Sequence, residues 1–238
     1  FSRWHFRQLA MGVLGGAVVL ALSTAAWSQV GYWRNSVTLF SRAVAITDRN
    51  WLAMNNLGFS CTELGQYQKA IGYFQEALRI KQDDAKTWRG LGVAYDALGQ
   101  YQQAIGCFQE SLRIKPDDAK TWNNLGVAYL ALGEHQQAIG HFREALRIKP
   151  DNAKTLDNLG AVYGILGEYR QAVGYFQEAL RIKPDDAGTW NNLGVAHDKL
   201  GQYQKAIGCF QEALRIKPDY AGARNNLIMA TGKLGQSR

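Results

Sequence analysis

A 34-residue period governs this chain. Its prolines fall at 116, 150, 184 and 218, and the segments 51–84, 85–118, 119–152, 153–186 and 187–220 align as five copies without a gap. In 85–118 the recurring residues are Trp88, Leu91, Gly92 and Tyr95, then Gly99, then Tyr101, Ala104, Ile105, Phe108, Ser111 and Leu112, then Pro116. Apolar residues three and four apart on each side of a glycine predict two amphipathic helices joined by a tight turn. One such hairpin cannot bury its own apolar face, so each copy must pack against neighbours on both sides.

Steric logic assigns a role to most of the repeated positions. Gly92, Gly126, Gly160 and Gly194, with Ala104, Ala138, Ala172 and Ala206, are small enough to let the two helices approach closely. Gly99, Gly133, Gly167 and Gly201 suit the left-handed residue that follows a helix end. Proline stops the second helix, and the Asp-Asp or Asp-Asn pair after it can cap the next first helix. A further column, Gly72, Gly106, Gly140, Gly174 and Gly208, sits inside each second helix. There it costs about 1 kcal/mol per glycine relative to alanine, and the sequence offers no reason for it.

Trp122, Leu125, Gly126, Tyr129, Ala138, Phe142, Ala145 and Pro150 occur in the order and spacing of the tetratricopeptide-repeat signature. The chain resembles that family over 51–220. Leu156 and Met54 stand in place of the tryptophan, Cys61 and His197 in place of the first tyrosine, and Gln82 in place of the first proline. The resemblance implies an all-α fold, a right-handed α-solenoid of helical hairpins, whose work is to hold other polypeptides.

The ends extend the pattern. Gly31, Trp33, Val37, Phe40 and Ala43 lie one period before Gly65, Tyr67, Ile71, Phe74 and Ala77, which predicts the second helix of an earlier hairpin at 32–47, within a half repeat spanning 31–50. Residues 221–238 keep Ala221 and Leu227 but place Arg224 at the tryptophan position, and read as a capping helix. Before them all, residues 1–30 contain an apolar stretch, 9–27, about 28 Å long as a helix and flanked by Trp4, Phe6, Trp27, Tyr32 and Trp33. A membrane span through 9–27 is the expectation, with a cleaved leader ending near Ser23-Thr24-Ala25 as its rival. The chain opens on Phe1 rather than methionine, which favours the internal span.

A second resemblance sits at this junction. Residues 31–40 (GYWRNSVTLF) and 50–58 (NWLAMNNLG) are similar to the linker after the last span of transmembrane and tetratricopeptide-repeat O-mannosyltransferases and their bacterial relatives. That likeness implies repeats on the non-cytoplasmic side of a membrane, in a periplasm or lumen, and a glycosyltransferase substrate-presenting region as the alternative role.

Charge excludes one class of partner. Of the net +7, residues 1–50 carry +4 and 221–238 carry +3, leaving the five repeats neutral in sum. A nucleic-acid surface needs cations along its binding face, so none is expected. Cys61, Cys107 and Cys209 show no CxxC spacing, which argues against a structural metal or a disulfide framework, and Cys107 and Cys209 take the place held elsewhere by Tyr73, His141 and Tyr175. His135 and His141 are six apart and so on different helix faces. No HExxH, phosphate loop or nucleophile elbow occurs, and neither an enzymatic centre nor a cofactor is expected.

The packed stripe of each first helix leaves a second stripe at unit positions 2, 5, 6, 9, 12 and 13 as the candidate binding surface. Its centre is a column at position 6, Asn56, Asn124, Asn158, Asn192 and Asn226, broken at Gly90. Lys86, Arg89, Lys120, Asn123, Lys154 and Asn191 flank it at positions 2 and 5. An amide offers a donor and an acceptor, which matches the backbone of an extended peptide. A carboxylate clamp like that of chaperone-binding relatives is only half present, with Val93 and Asn158 where asparagine and arginine are needed. Alternatively, the amides serve contacts between hairpins. End-to-end self-association is a third role for the array.

Overall fold

A computed structural model describes residues 36–47 and 50–236, and within them twelve α-helices and no strand. The helices are α1 Ser36–Ile46, α2 Trp51–Glu63, α3 Tyr67–Ile80, α4 Ala85–Ala97, α5 Tyr101–Ile114 and α6 Ala119–Ala131. They continue as α7 His135–Ile148, α8 Ala153–Ile165, α9 Tyr169–Ile182, α10 Ala187–Lys199, α11 Tyr203–Ile216 and α12 Ala221–Gln236. The fold is all-α and built of helical hairpins. The apolar stretch 9–27 lies outside the described residues. Among those described, no helix is long and apolar enough to cross a membrane.

Capping follows the sequence cues. Asp84 accepts from the backbone N–H of Thr87 at 2.8 Å, and Asp186 from those of Gly188 and Thr189 at 3.1 and 3.2 Å. Each satisfies donors at a helix start that would otherwise lack partners. At the other end of a first helix, Gly133 takes φ +78°. Its N–H bonds to Leu130 and that of Glu134 to Tyr129, the pair of bonds that closes a Schellman turn.

The chain divides into two compact units, residues 1–94 and 95–238. In the first, Phe74 of α3 is fully buried and its ring faces the α-carbons of Gly58 and Gly90. Phe59 meets that ring edge-on at 5.0 Å. A side chain at position 90 would run into both Phe74 and Phe59, its Cβ 2.7 Å from one ring and 3.0 Å from the other. At Gly90, where the asparagine column is interrupted, the rings of Phe74 and Phe59 together occupy the space a side chain would need.

In the second unit a continuous core runs through three hairpins, including Phe142, Leu159, Val162, Phe176, Leu180 and Leu193. A smaller cluster of Phe210, Ala206 and Ala230 joins α11 to α12. The same lock recurs in each hairpin: a Cβ at Gly126, Gly160 or Gly194 would lie 2.5–2.7 Å from the ring of Phe142, Phe176 or Phe210. Burying a phenylalanine side chain fully is worth about 3 kcal/mol, and glycine is what allows its ring to approach the facing backbone.

A latch holds the loop ahead of α4, α6 and α10. Trp88, Trp122 and Trp190 donate their indole N–H to the carbonyls of Gln82, Pro116 and Pro184 at 2.8, 2.8 and 2.9 Å. In α12 Arg224 takes the tryptophan's place and donates to the Pro218 carbonyl at 2.9 Å. The substitution in the cap thus preserves the bond while presenting a polar outer face.

His141 and His197 are packed among rings and side chains, and burial lowers the pKa of both; at His197 the Gln202 hydrogen bond partly offsets this and Lys205 adds to it. The unfolded chain then binds protons near the ordinary histidine pKa of about 6.5, before the folded one does. Stability is accordingly full above that pH and falls as pH drops through it. Thermal melts between about pH 7.5 and about pH 5.5 should show a declining Tm. His141→Tyr with His197→Tyr, residues the repeat already uses at these positions, should flatten that slope. An unchanged slope would refute the assignment.

Candidate peptide-binding groove

Three asparagines of the column, Asn158, Asn192 and Asn226, link hairpins of the second unit. Asn158 Nδ2 donates to Asn123 Oδ1 at 3.0 Å, Asn192 Nδ2 to Asp157 Oδ1 at 3.3 Å, and Asn226 Nδ2 to Asn191 Oδ1 at 2.9 Å. Each bond spans 35 residues, from position 6 of one hairpin to position 5 of the one before. Thr155 Oγ1 adds a second bond to Asn123 Oδ1 at 3.1 Å. In the first unit Thr87 Oγ1 donates to Asn55 Oδ1 at 2.9 Å.

Asn123 and Asn191 are 6% and 9% exposed, so these two groove candidates face the next hairpin rather than solvent. Asn158, Asn192 and Asn226 are half-buried. An asparagine side chain has two N–H donors and an acceptor oxygen. One donor is committed to the inter-hairpin bond, which fixes the rotamer and leaves the other donor and the oxygen for a ligand. The structural and binding roles of the column are therefore compatible.

Asn56 and Arg89 are half-buried in the first unit, and Lys86 is exposed there with its Nζ 4.8 Å over the Phe59 ring. In the second unit Lys120 is exposed at the start of α6 and Asn124 is half-buried one turn on. Lys154 and Asn158 line a polar recess of about 280 Å³ together with Asp157, Lys183 and Asp186. Burial pushes the Asp157 carboxyl above the ordinary carboxylate range, with hydrogen bonds from Thr189 and Asn192 opposing the rise. At Asp186 burial acts in the same upward direction but is outweighed by bonds from Lys183, Thr189 and Gly188, which hold its pKa low.

A second cavity, of about 310 Å³, opens beside Asn192 and is mostly apolar, with walls from Ala161, Ile165, Tyr169, Val195 and Lys199. Ile165 is 60% exposed at its edge. The position-9 and position-13 residues of this wall lie on the predicted stripe, whereas Tyr169, at the start of α9, was not foreseen. Its signal was available: a tyrosine begins the second helix of four of the five full repeats, α7 being the exception.

Residues 8–215 match the family described as the cilia and flagella-associated protein 70 C-terminal domain. The chain belongs to this tetratricopeptide-repeat family. No curated protein matches it. Among solved structures, YrrB, described as a TPR protein with an unusual peptide-binding site, is 19% identical with a TM-score of 0.62, over 78% of this chain and 96% of that one. MamA is 23% identical with a TM-score of 0.63, over 74% and 96%. The Cut9–Hcn1 hetero-tetramer of the APC/C aligns at 25% identity and a TM-score of 0.72, over 80% of this chain but 38% of that one. These likenesses agree on the tetratricopeptide fold.

Proposed function

We propose that this chain is a scaffold that holds an extended peptide along the first helices of its second unit. The observation that carries the reading is the apolar cavity between α8 and α10, walled by Ile165, Tyr169 and Val195 with the Asn192 amide at its side. One apolar side chain of the peptide would enter it, while Asn124, Asn158, Asn192 and Asn226 meet the peptide backbone. At about 1 kcal/mol net per hydrogen bond, the amides alone fall short of the roughly 8 kcal/mol of micromolar affinity. The cavity must supply the rest and the selectivity. The described peptide-binding site of YrrB, a protein of like fold, supports the same class of role.

Panning a random peptide library on the purified chain tests this. Selected peptides should share an apolar residue, and Ile165→Glu should weaken them about tenfold or more with helicity and Tm unchanged, because that side chain is largely exposed. Equal affinity in the variant would remove the cavity from the site.

In the same reading, residues 9–27 tether the array to a membrane and the repeats lie on its non-cytoplasmic side. A second role, presenting protein substrate to a multi-span glycosyltransferase, rests on the 31–58 junction residues. Finding further spans with acidic loop residues encoded upstream of Phe1 would favour it.

A further inference from the structure

Among the hairpins 119–152, 153–186 and 187–220, position 23 carries a ring stacked on one from position 4 or 11 in the first two, and the third departs with a cysteine there, as 85–118 also does. In the first of three, His141 stacks on Trp122 and Tyr129 with centroids 5.5 and 5.0 Å apart. In the next, Tyr175 stacks on Tyr163 at 5.4 Å with the planes 5° apart. In the third, position 23 is Cys209, and a cleft of about 660 Å³ lies there against Trp190 and His197. That volume is in the range of small-molecule sites.

The walls of the cleft are fixed. Trp190 is held by its 2.9 Å bond to the Pro184 carbonyl and His197 by a 2.8 Å bond between Nδ1 and Gln202 Oε1. His197 and Cys209 beneath are 5% and 7% exposed, so the cleft is a shallow depression whose accessible ring is Trp190's. Gly208, from the unexplained glycine column, borders the cleft, and nothing lies within 4 Å of where its Cβ would be. Arg181 and Lys205 line the same opening and, among the described residues, have no ion-pair partner. The one carboxylate of the lining, Glu212, is taken by Arg215 at 2.8 Å. Burial pushes the Cys209 thiol up to about 11, so it forms a neutral floor and not a nucleophile.

We propose that this cleft binds a small arylacetate anion, its ring against Trp190 above Cys209, where the two preceding hairpins carry a ring of their own, and its carboxylate on Arg181 and Lys205. The cleft shares no lining residue with the cavity beside Asn192, so this site stands independently of the peptide groove.

Titration calorimetry of the full chain with 4-hydroxyphenylacetate provides the test. Saturable binding is expected, with p-cresol binding about tenfold more weakly for want of the charge and acetate not at all. Cys209→Tyr, which installs the ring that Tyr175 supplies next door, should remove one molar equivalent of binding. Arg181→Ala with Lys205→Ala, both exposed, should reduce 4-hydroxyphenylacetate to the affinity of p-cresol and leave p-cresol unchanged. Absence of binding, full stoichiometry in Cys209→Tyr, or equal affinity for p-cresol and the acid would overturn the proposal.

Discussion

Gly126→Ala should lower stability by about 2 kcal/mol, whereas Gly140→Ala, fourteen residues on in the same hairpin, should raise it by about 1. A Cβ at 126 would sit 2.6 Å from Cε1 of Phe142 and 2.8 Å from Cδ1, and the Phe142 ring is fully buried, so it has no room to withdraw. Overpacking of this kind costs about 1–3 kcal/mol at well-packed sites. The upper end applies here, less the roughly 1 kcal/mol by which alanine outranks glycine in a helix. At 140 the added methyl meets nothing within 4 Å, and only the helix-propensity gain remains. Urea denaturation with a constant m-value measures both. Two changes of the same sign would show that the ring lock is not what sets the hairpin's spacing.

The largest stabilisation should come from extending the second substitution along its column. Gly106, Gly140, Gly174 and Gly208 are exposed, sit in regular helix, and have open space at the Cβ position. Alanine at all four should add roughly 3–4 kcal/mol to the second unit, since each contributes up to about 1 kcal/mol by restricting the unfolded chain. The sites lie on four separate helices, so their effects should sum closely. Chemical denaturation followed by far-ultraviolet circular dichroism would record it as a shift to higher midpoint. A gain below that of one substitution would mean that the glycines relieve a strain the backbone does not reveal.

Much of this was legible because the repeat turns one observation into five. Glycine after the first helix, the aspartate caps and the small residue opposite phenylalanine each recur at fixed spacing, and every one has a steric cause that holds without knowledge of the neighbours. The links between hairpins were harder to read. Helical periodicity places Asn123 and Asn158 on a stripe, but their meeting joins residues 35 apart across two hairpins, and periodicity within one helix carries no information about that register. A correlated signal did exist: Asn158, Asn192 and Asn226 each follow, one period back, an acceptor at position 5, namely Asn123, Asp157 and Asn191. Gly90 likewise pairs with the bulky Phe59, and Arg224 reads as a lost tryptophan until its bond to Pro218 is seen. Chemical type misled there, because hydrogen-bond geometry was what the position required.

The central claim is that peptide lies beside α8 and α10, at the cavity next to Asn192. A photo-crosslinking side chain, benzoylphenylalanine, placed at Ile165 tests it most directly, since that position is 60% exposed at the cavity's edge. Exposed Gln177 of α9, which borders the other cleft, serves as the comparison site. With a library-selected peptide present, illumination should attach peptide at 165 and leave 177 unmodified. Attachment at 177 with none at 165 would contradict the account.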